Sequence, residues 1–274
     1  MTTIYDPHHP LYLDEADTRK ELERVYDLCH GCRLCFKFCP SFPTLFSYVD
    51  MHDDQDAGKM TPAQQDHVVD ECFQCKLCYV MCPYIPELHE WALDFPRLML
   101  RADAMRRANG QVSARDKLTT AVMGHTDALG KVATKAGVIS NVVMGAKPGS
   151  LIRKVVEKTA GISSVRMLPP FAKQRFTTWF KKRPQIRLTK SQGDVAVFPT
   201  CLVEYQDPRI GHDLVKVYEH NGVSCSLAGT TNCCGAPYLH SGDMDTFTKV
   251  AAKNISELVK DVRAGKDIVV PQPT

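Results

Sequence analysis

Cys29-His30-Gly31-Cys32-Arg33-Leu34-Cys35-Phe36-Lys37-Phe38-Cys39-Pro40 is matched in spacing by Cys72-Phe73-Gln74-Cys75-Lys76-Leu77-Cys78-Tyr79-Val80-Met81-Cys82-Pro83. Each run sets three cysteines two residues apart, a fourth three residues further on, and a proline directly after it. A zinc site takes four ligands and usually draws them from two separated cysteine pairs. Redox Cys-x-x-Cys chemistry needs no third and fourth cysteine at fixed offsets. Two dense and equivalent runs therefore fit a polynuclear metal site better than either.

The spacing is that of a 4Fe–4S run. Three thiolates on one tight loop can each reach a different iron of a cube, while the fourth lies beyond a turn and ligates the other cluster. That logic gives Cys29, Cys32, Cys35 and Cys82 to one cluster and Cys72, Cys75, Cys78 and Cys39 to a second. Pro40 and Pro83 remove a backbone donor and redirect the chain after the crossing ligand. With four thiolates available per cluster, His30 is expected to donate to sulfur or to face solvent. Phe38, Tyr79 and Met81 are expected to shield a cluster, which tunes its potential.

Outward from these runs, residues from Asp17 to Cys29 read as a helix, with Leu22, Val25, Tyr26 and Cys29 on one face. Thr61-Pro62-Ala63-Gln64 is a helix start, with an N-cap, a proline at the first position and a capping-box glutamine. Leu88 to Arg107 reads as helical with a break or restart near Pro96. Residues 151 to 190 hold eleven lysines and arginines against one acid, Glu157, with Leu168, Phe171, Phe176, Trp179 and Phe180 interleaved. Such a stretch is either a solvated connector or a surface for anionic lipid or a partner.

The last part changes period. Asp194–Phe198, Val223–Leu227 and Ile268–Val270 read as strands. Between them lie a helix from Asp207-Pro208 to Asn221-Gly222 and a helical face running from Met244 to Val262. Strand, helix, strand, helix, strand makes an α/β unit with a parallel sheet. Cys201 follows the first strand, and Cys233-Cys234-Gly235 follows the second after 31 intervening residues. Both loops then fall at the carboxyl edge of the sheet, where sites are normally built. Cys225 sits on an apolar strand and reads as an ordinary small core residue.

Composition bounds the reading. The chain of 274 residues is 44% apolar and 24% charged, as a globular protein is, and its net charge of +3 argues neither for nor against nucleic acid. Twelve cysteines are anomalous for a cytoplasmic chain, where thiols stay reduced and disulfides are rare. No secretory signal opens the sequence, and no apolar run is long enough to span a bilayer.

The 32 residues between Cys39 and Cys72, with a helix start among them, set the chain apart from a small β-rich ferredoxin. From residue 17 to about 110 it resembles the α-helical ferredoxin domain of iron–sulfur subunits from respiratory dehydrogenases and heterodisulfide reductases. Phe198-Pro199-Thr200-Cys201 and the later Cys233-Cys234-Gly235 resemble half of the CCG-type cysteine-rich domain. That domain accompanies such a ferredoxin in one subunit of anaerobic glycerol-3-phosphate dehydrogenase, and also occurs in glycolate and lactate oxidases and heterodisulfide reductase. The resemblance implies that Cys201, Cys233 and Cys234 are ligands of a further iron–sulfur cluster, or redox thiols. The family pattern continues with a Cys-x-x-Cys and usually a second copy, so a chain ending at Thr274 is expected to be a fragment cut before the missing ligands.

The expected architecture is α plus α/β. It comprises an all-α domain with two clusters (residues 1–110), a helical basic connector (111–191) and an incomplete α/β CCG-type domain (192–274). The implied function is electron transfer as an oxidoreductase subunit rather than as a stand-alone enzyme. A partner flavoprotein dehydrogenase would supply electrons, and a quinone or disulfide-type acceptor would receive them. The expected location is cytoplasmic, peripheral on the inner face of the cell membrane. The alternative is a heterodisulfide-reductase-like catalytic subunit that cleaves a disulfide at a CCG-bound cluster. A nucleic-acid protein with structural clusters is the weakest reading, because crossed ligands suit electron transfer. No residue outside the cysteines is given a catalytic role.

Overall fold

The computed structural model describes residues 5–184, 193–230 and 232–271, so Arg187 and Lys190 of the basic stretch lie outside it. The chain divides into two compact units: Met1–Lys117 with Pro237–Thr246, and Leu118–Ala236 with Phe247–Thr274.

The described part of the first unit is helical. Helix α1 (Glu15–Cys32) starts at Asp14, whose carboxylate accepts the Asp17 N–H at 2.7 Å. It runs through Cys29 and Cys32 and stops at Arg33, which is left-handed (φ 53°) and donates its N–H to Cys29 O at 2.8 Å. Helix α2 (Ser41–Val49) starts directly after Pro40. Helix α3 (Pro62–Asp70) has the expected capping box: Gln64 N–H reaches Thr61 Oγ1 at 3.3 Å, and Thr61 N–H reaches Gln64 Oε1 at 2.8 Å. Helix α4 (Leu77–Met81) carries Cys78.

Helix α5 (Phe95–Ala108) begins at the expected restart near Pro96, so only the first part of the expected Leu88–Arg107 span is not helical. Pro96 marks its first turn, and Asp94 caps it by accepting the Arg97 N–H at 3.0 Å. Residues 88–94 form turns instead, because the proline can only open a helix here.

The helices α1, α2, α3 and α5 close on one core. Leu22, Val25, Phe42, Leu45, Leu98 and Met99 are among its fully enclosed members, each contributing about 1.5–3 kcal/mol by burial. Cys78 belongs to this core, and Cys29, Cys35, Cys39, Cys72 and Cys82 pack against it. Arg101 is fully buried and straps the N-terminal segment to α5. It donates to Tyr12 O (2.9 Å) and Leu11 O (2.6 Å), and pairs with Asp17 (2.8 Å).

From Ala114 the chain forms α6 (Ala114–Gly124), α7 (Thr126–Lys135), α8 (Gly137–Met144), α9 (Leu151–Ala160) and α10 (Phe176–Lys182). The α/β part follows as β1 (Gly193–Val197), α11 (Cys201–Tyr205), α12 (Pro208–His220), β2 (Val223–Leu227), α13 (Ala236–His240), α14 (Met244–Arg263) and β3 (Asp267–Val269). Strands one and three begin and end one residue before their expected positions, while the second matches. The sheet is parallel with order β2-β1-β3, and Val195 lies opposite both Cys225 and Asp267.

Successive residues of β1 face opposite sides. Val197 joins Phe176, Phe180, Val203 and Val215 on one face, whereas Ala196, with Phe198 and Ala228, packs with Leu258 and Ile268 on the other. Two aromatics of the basic stretch, Phe176 and Phe180, are therefore core residues under the sheet rather than a membrane-facing surface. Gly211 lets α12 approach, since a Cβ there would lie 2.5 Å from the Phe176 ring. No helix among the described residues is long and apolar enough to cross a membrane.

Candidate metal centres

Both cysteine runs turn on the same backbone device. The residue after the second cysteine is left-handed in each: Arg33 (φ 53°) after Cys32 and Lys76 (φ 61°) after Cys75. A non-glycine residue held there costs on the order of 1–3 kcal/mol and persists only where its surroundings fix it. The first run leaves α1 at this point. The second uses it to enter α4, after Gln74, which is also left-handed (φ 54°).

None of the twelve cysteines is paired in a disulfide. Burial pushes the Cys29 thiol well above its ordinary range, and the nearby thiols of Cys35, Cys82, Cys78 and Cys32 add to the shift. Burial likewise lifts Cys35 to about 12, helped by Cys82, Cys32 and Cys39. Cys72 rises to about 11, mainly by burial, with Cys39 and Cys75 contributing against a backbone N–H from Gln74 that lowers it. Cys78 is raised by burial, then by Cys35, Cys72, Cys39 and Cys75. Cys82 is raised by burial and by Cys32, and it accepts the Tyr84 N–H at 3.4 Å.

The thiols of the two runs crowd together: Cys82 bears on Cys29 and Cys35, and Cys39 on Cys72 and Cys78, while Cys39 also bears on Cys35 and Cys78 on Cys29. Cys39, Cys72, Cys75 and Cys78 also line a single cavity, closed by Phe38, Phe42, Phe73, Phe95 and Pro96. Gln74 lines the same cavity, and its buried Oε1 has no hydrogen-bond partner among the described residues. These features fit a cationic, sulfur-ligated centre. Crowded and partly buried thiols resist ionising alone, and metal binding supplies the compensating charge. Among the described residues, no three Cys, His, Asp or Glu side chains converge on a single-ion site.

The flanking residues depart from expectation. His30 neither faces solvent nor donates to sulfur: it is buried, and its Nε2 lies 2.8 Å from the Asp50 carboxylate, which also pairs with Arg33. Phe38 does wall the cavity. Met81 is 56% exposed, and Tyr79 turns outward to bond Glu87 at 2.8 Å.

In the second unit, Cys201 opens α11 behind the Thr200 N-cap, while Cys233 and Cys234 lie in the loop that leaves β2. The three thiols shift one another's ionisation: Cys233 holds Cys201 below the ordinary thiol range, whereas Cys201 pushes Cys233 upward and Cys233 pushes Cys234 upward. Gly235 is left-handed (φ 92°), and a Cβ there would sit 3.2 Å from Phe247 and Val250, so the loop passes close over α14. Cys225 stays apart, packed on the sheet core, its thiol raised by burial to about 11.

The sequence reading missed three residues that hold this site. Asp127, in the first turn of α7, accepts the Cys233 N–H at 2.6 Å through Oδ2 and the Tyr205 hydroxyl at 3.1 Å through Oδ1. Buried Asn254 donates to Cys233 O at 2.8 Å and accepts from Thr230 at 3.0 Å. Gly130 makes the α7 contact close: a Cβ there would stand 2.6 Å from the Tyr205 ring. The only local signal was the glycine one turn after an acid in a weakly amphipathic helix, which does not reveal a partner 106 residues away.

Comparison with known proteins agrees with this layout. A 4Fe–4S dicluster domain matches residues 21–83, and a cysteine-rich domain of the CCG family matches residues 195–274. One subunit of the anaerobic glycerol-3-phosphate dehydrogenase of Escherichia coli (strain K12) is 29% identical over 157 residues, covering 57% of this chain and 39% of that protein. The chain therefore spans about two fifths of that relative's length. Lactate utilization protein A of Bacillus pumilus is 31% identical over 77 residues, covering 28% of this chain and 31% of the relative. One subunit of the fumarate reductase (CoM/CoB) of Methanothermobacter marburgensis is 28% identical over 60 residues, covering 22% and 12% respectively. No solved structure matches the chain. With its 4Fe–4S domain and its cysteine-rich CCG domain, the chain is an iron–sulfur protein homologous to the anaerobic glycerol-3-phosphate dehydrogenase subunit and to lactate utilization protein A.

Proposed function

We propose that this protein is the electron-carrying subunit of a dehydrogenase complex, accepting electrons from a flavoprotein and delivering them to a quinone or other acceptor. Two 4Fe–4S clusters are assigned, one to Cys29, Cys32, Cys35 and Cys82, the other to Cys72, Cys75, Cys78 and Cys39. The observation that carries the reading is the cavity in which Cys39 of the first run stands with Cys72, Cys75 and Cys78 of the second. When bound, such clusters take up and release single electrons, which side chains alone cannot do.

The chain's own residues hold and insulate these centres. Phe38, Phe42 and Phe95 line the apolar side of the second ligand set, while Cys75 is exposed. The Tyr84 N–H at Cys82, and the Gln74 N–H at Cys72, stabilise thiolate charge, a lever on potential. In the second unit, Cys201, Cys233 and Cys234 are assigned to a further cluster or to redox thiols, with Asp127 and Asn254 fixing the loop. Placement in the cytoplasm, against the inner face of the membrane, belongs to the same proposal.

The test is iron and acid-labile sulfide per chain on anaerobically purified protein, with EPR of the reduced sample. About eight irons and an interacting-spin signal support two cubes. Zinc in place of iron would overturn the proposal. The contact among three thiols also favours a second reading, a disulfide-cleaving subunit of the heterodisulfide-reductase kind. Turnover of a small disulfide with reduced protein, lost in Cys233→Ser, would select it.

A further inference from the structure

In the second unit, Lys131, Thr134 and Lys135 of α7, Lys173, Gln174 and Arg175 of the following segment, and Thr178 and Lys182 of α10 line one open cavity of about 580 Å³. Its wall carries five cations and no acid. Among the described residues no ion pair ties Lys131, Lys135, Lys173 or Lys182 to a carboxylate. Arg175 is only loosely held: it meets Glu204 at 3.4 Å, while that carboxylate already accepts the Thr177 N–H at 2.9 Å and the Thr177 hydroxyl at 2.6 Å.

The walls are built in place. Phe171 N–H donates to Asn141 Oδ1 (2.8 Å), Asn141 Nδ2 donates to Phe171 O (3.0 Å), and Ala172 N–H reaches Tyr205 O (2.8 Å). These bonds fix the segment that carries Lys173 and Arg175. The Thr134 hydroxyl is buried at the cavity and has no hydrogen-bond partner among the described residues. Cations crowded without acids repel one another, and an unmet buried hydroxyl costs free energy; a multivalent anion relieves both.

We propose that this cavity binds a phosphate monoester. Four ammonium groups and a guanidinium match a dianion better than a single carboxylate, and Thr134, Thr178 and Gln174 add neutral donors for several oxygens around one centre. The volume suits a small molecule or a lipid headgroup. Lys131 and Lys135 lie on the same face of α7 as Asp127, about 6 and 12 Å along the axis. The phosphate would therefore sit one to two turns from the cysteine-rich site.

The experiment is calorimetric titration of the cluster-loaded full chain with methyl phosphate, with acetate as control. Binding is expected, falling about tenfold or more in Lys135→Ala/Lys173→Ala and about threefold or more in Thr134→Val. Unchanged visible cluster absorbance and melting temperature would show that these surface changes leave the fold intact. Sedimentation with phosphatidylcholine vesicles, with and without phosphatidic acid, separates the sources. Vesicle binding that methyl phosphate competes away assigns the phosphate to a lipid headgroup; methyl phosphate binding without vesicle binding assigns it to a free ester. Absent methyl phosphate binding, or equal binding in the double variant, overturns the proposal.

Discussion

The two cysteine-bearing regions solve one problem in opposite ways. In the first unit the thiols are part of the core: Cys78 is buried in it, and five of the other run cysteines pack against it. In the second unit Cys201 opens α11 and Cys233 and Cys234 lie in the loop after β2, and none of the three belongs to the sheet's core clusters, unlike Cys225. There the positioning is done by polar groups, chiefly Asp127 on one side and Asn254 on the other. A site packed on a core is expected to couple its metal to the fold. A site built on a preformed edge depends on the fold for its geometry.

The largest way to break that contrast is to remove the iron. Chelation under reducing conditions is expected to abolish the cooperative unfolding of the first unit while leaving the β1–β2 pairing protected, read by hydrogen exchange with mass spectrometry. Equal protection of both regions after chelation would erase the distinction. Next, Arg101→Ala removes the ion pair to buried Asp17 and releases two backbone carbonyls. It should cost about 3–5 kcal/mol in denaturant unfolding of the first unit, with no change at the cysteine-rich site.

Two smaller substitutions sharpen the same comparison. Gly130→Val drives a side chain into the Tyr205 ring, so it should destabilise by about 1–3 kcal/mol and disturb the Asp127 contact. Its signature is faster alkylation of Cys233 with iron content unchanged in the first unit. Thr61→Ala removes the N-cap of α3 and should cost about 1 kcal/mol, with both sites intact. A thermal melt that shows no loss would mean that α3 is held by packing alone.

Legibility in the sequence follows from how local each feature is. The equivalence of the runs from Cys29 and from Cys72 is visible because spacing is a property of consecutive residues, whereas the expected single loop is not what forms: α1 carries Cys29 and Cys32, and α4 carries Cys78. The capping box at Thr61 and the strand Val223–Leu227 were legible for the same reason. The restart near Pro96 is where α5 begins, with Asp94 as its cap, but residues 88–94 are not helical, because apolar and charged residues there only mimic helical periodicity. His30 was misread because its partner, Asp50, stands 20 residues away across a turn. Asp127 was invisible: its role exists only once α7 meets α11 through Gly130. Phe176 and Phe180 fall in a stretch that reads either as a solvated connector or as a surface for anionic lipid or a partner, and only the sheet packed on them makes them core.

The central claim is the crossing, in which each run gives its fourth cysteine to the other's cluster. Cys82→Ser tests it by anaerobic alkylation followed by mass spectrometric mapping of each cysteine. The account predicts that Cys29, Cys32 and Cys35 become alkylated together, while Cys39, Cys72, Cys75 and Cys78 stay protected and about four irons remain. Alkylation of Cys72, Cys75 and Cys78 instead, with the first run protected, would contradict it.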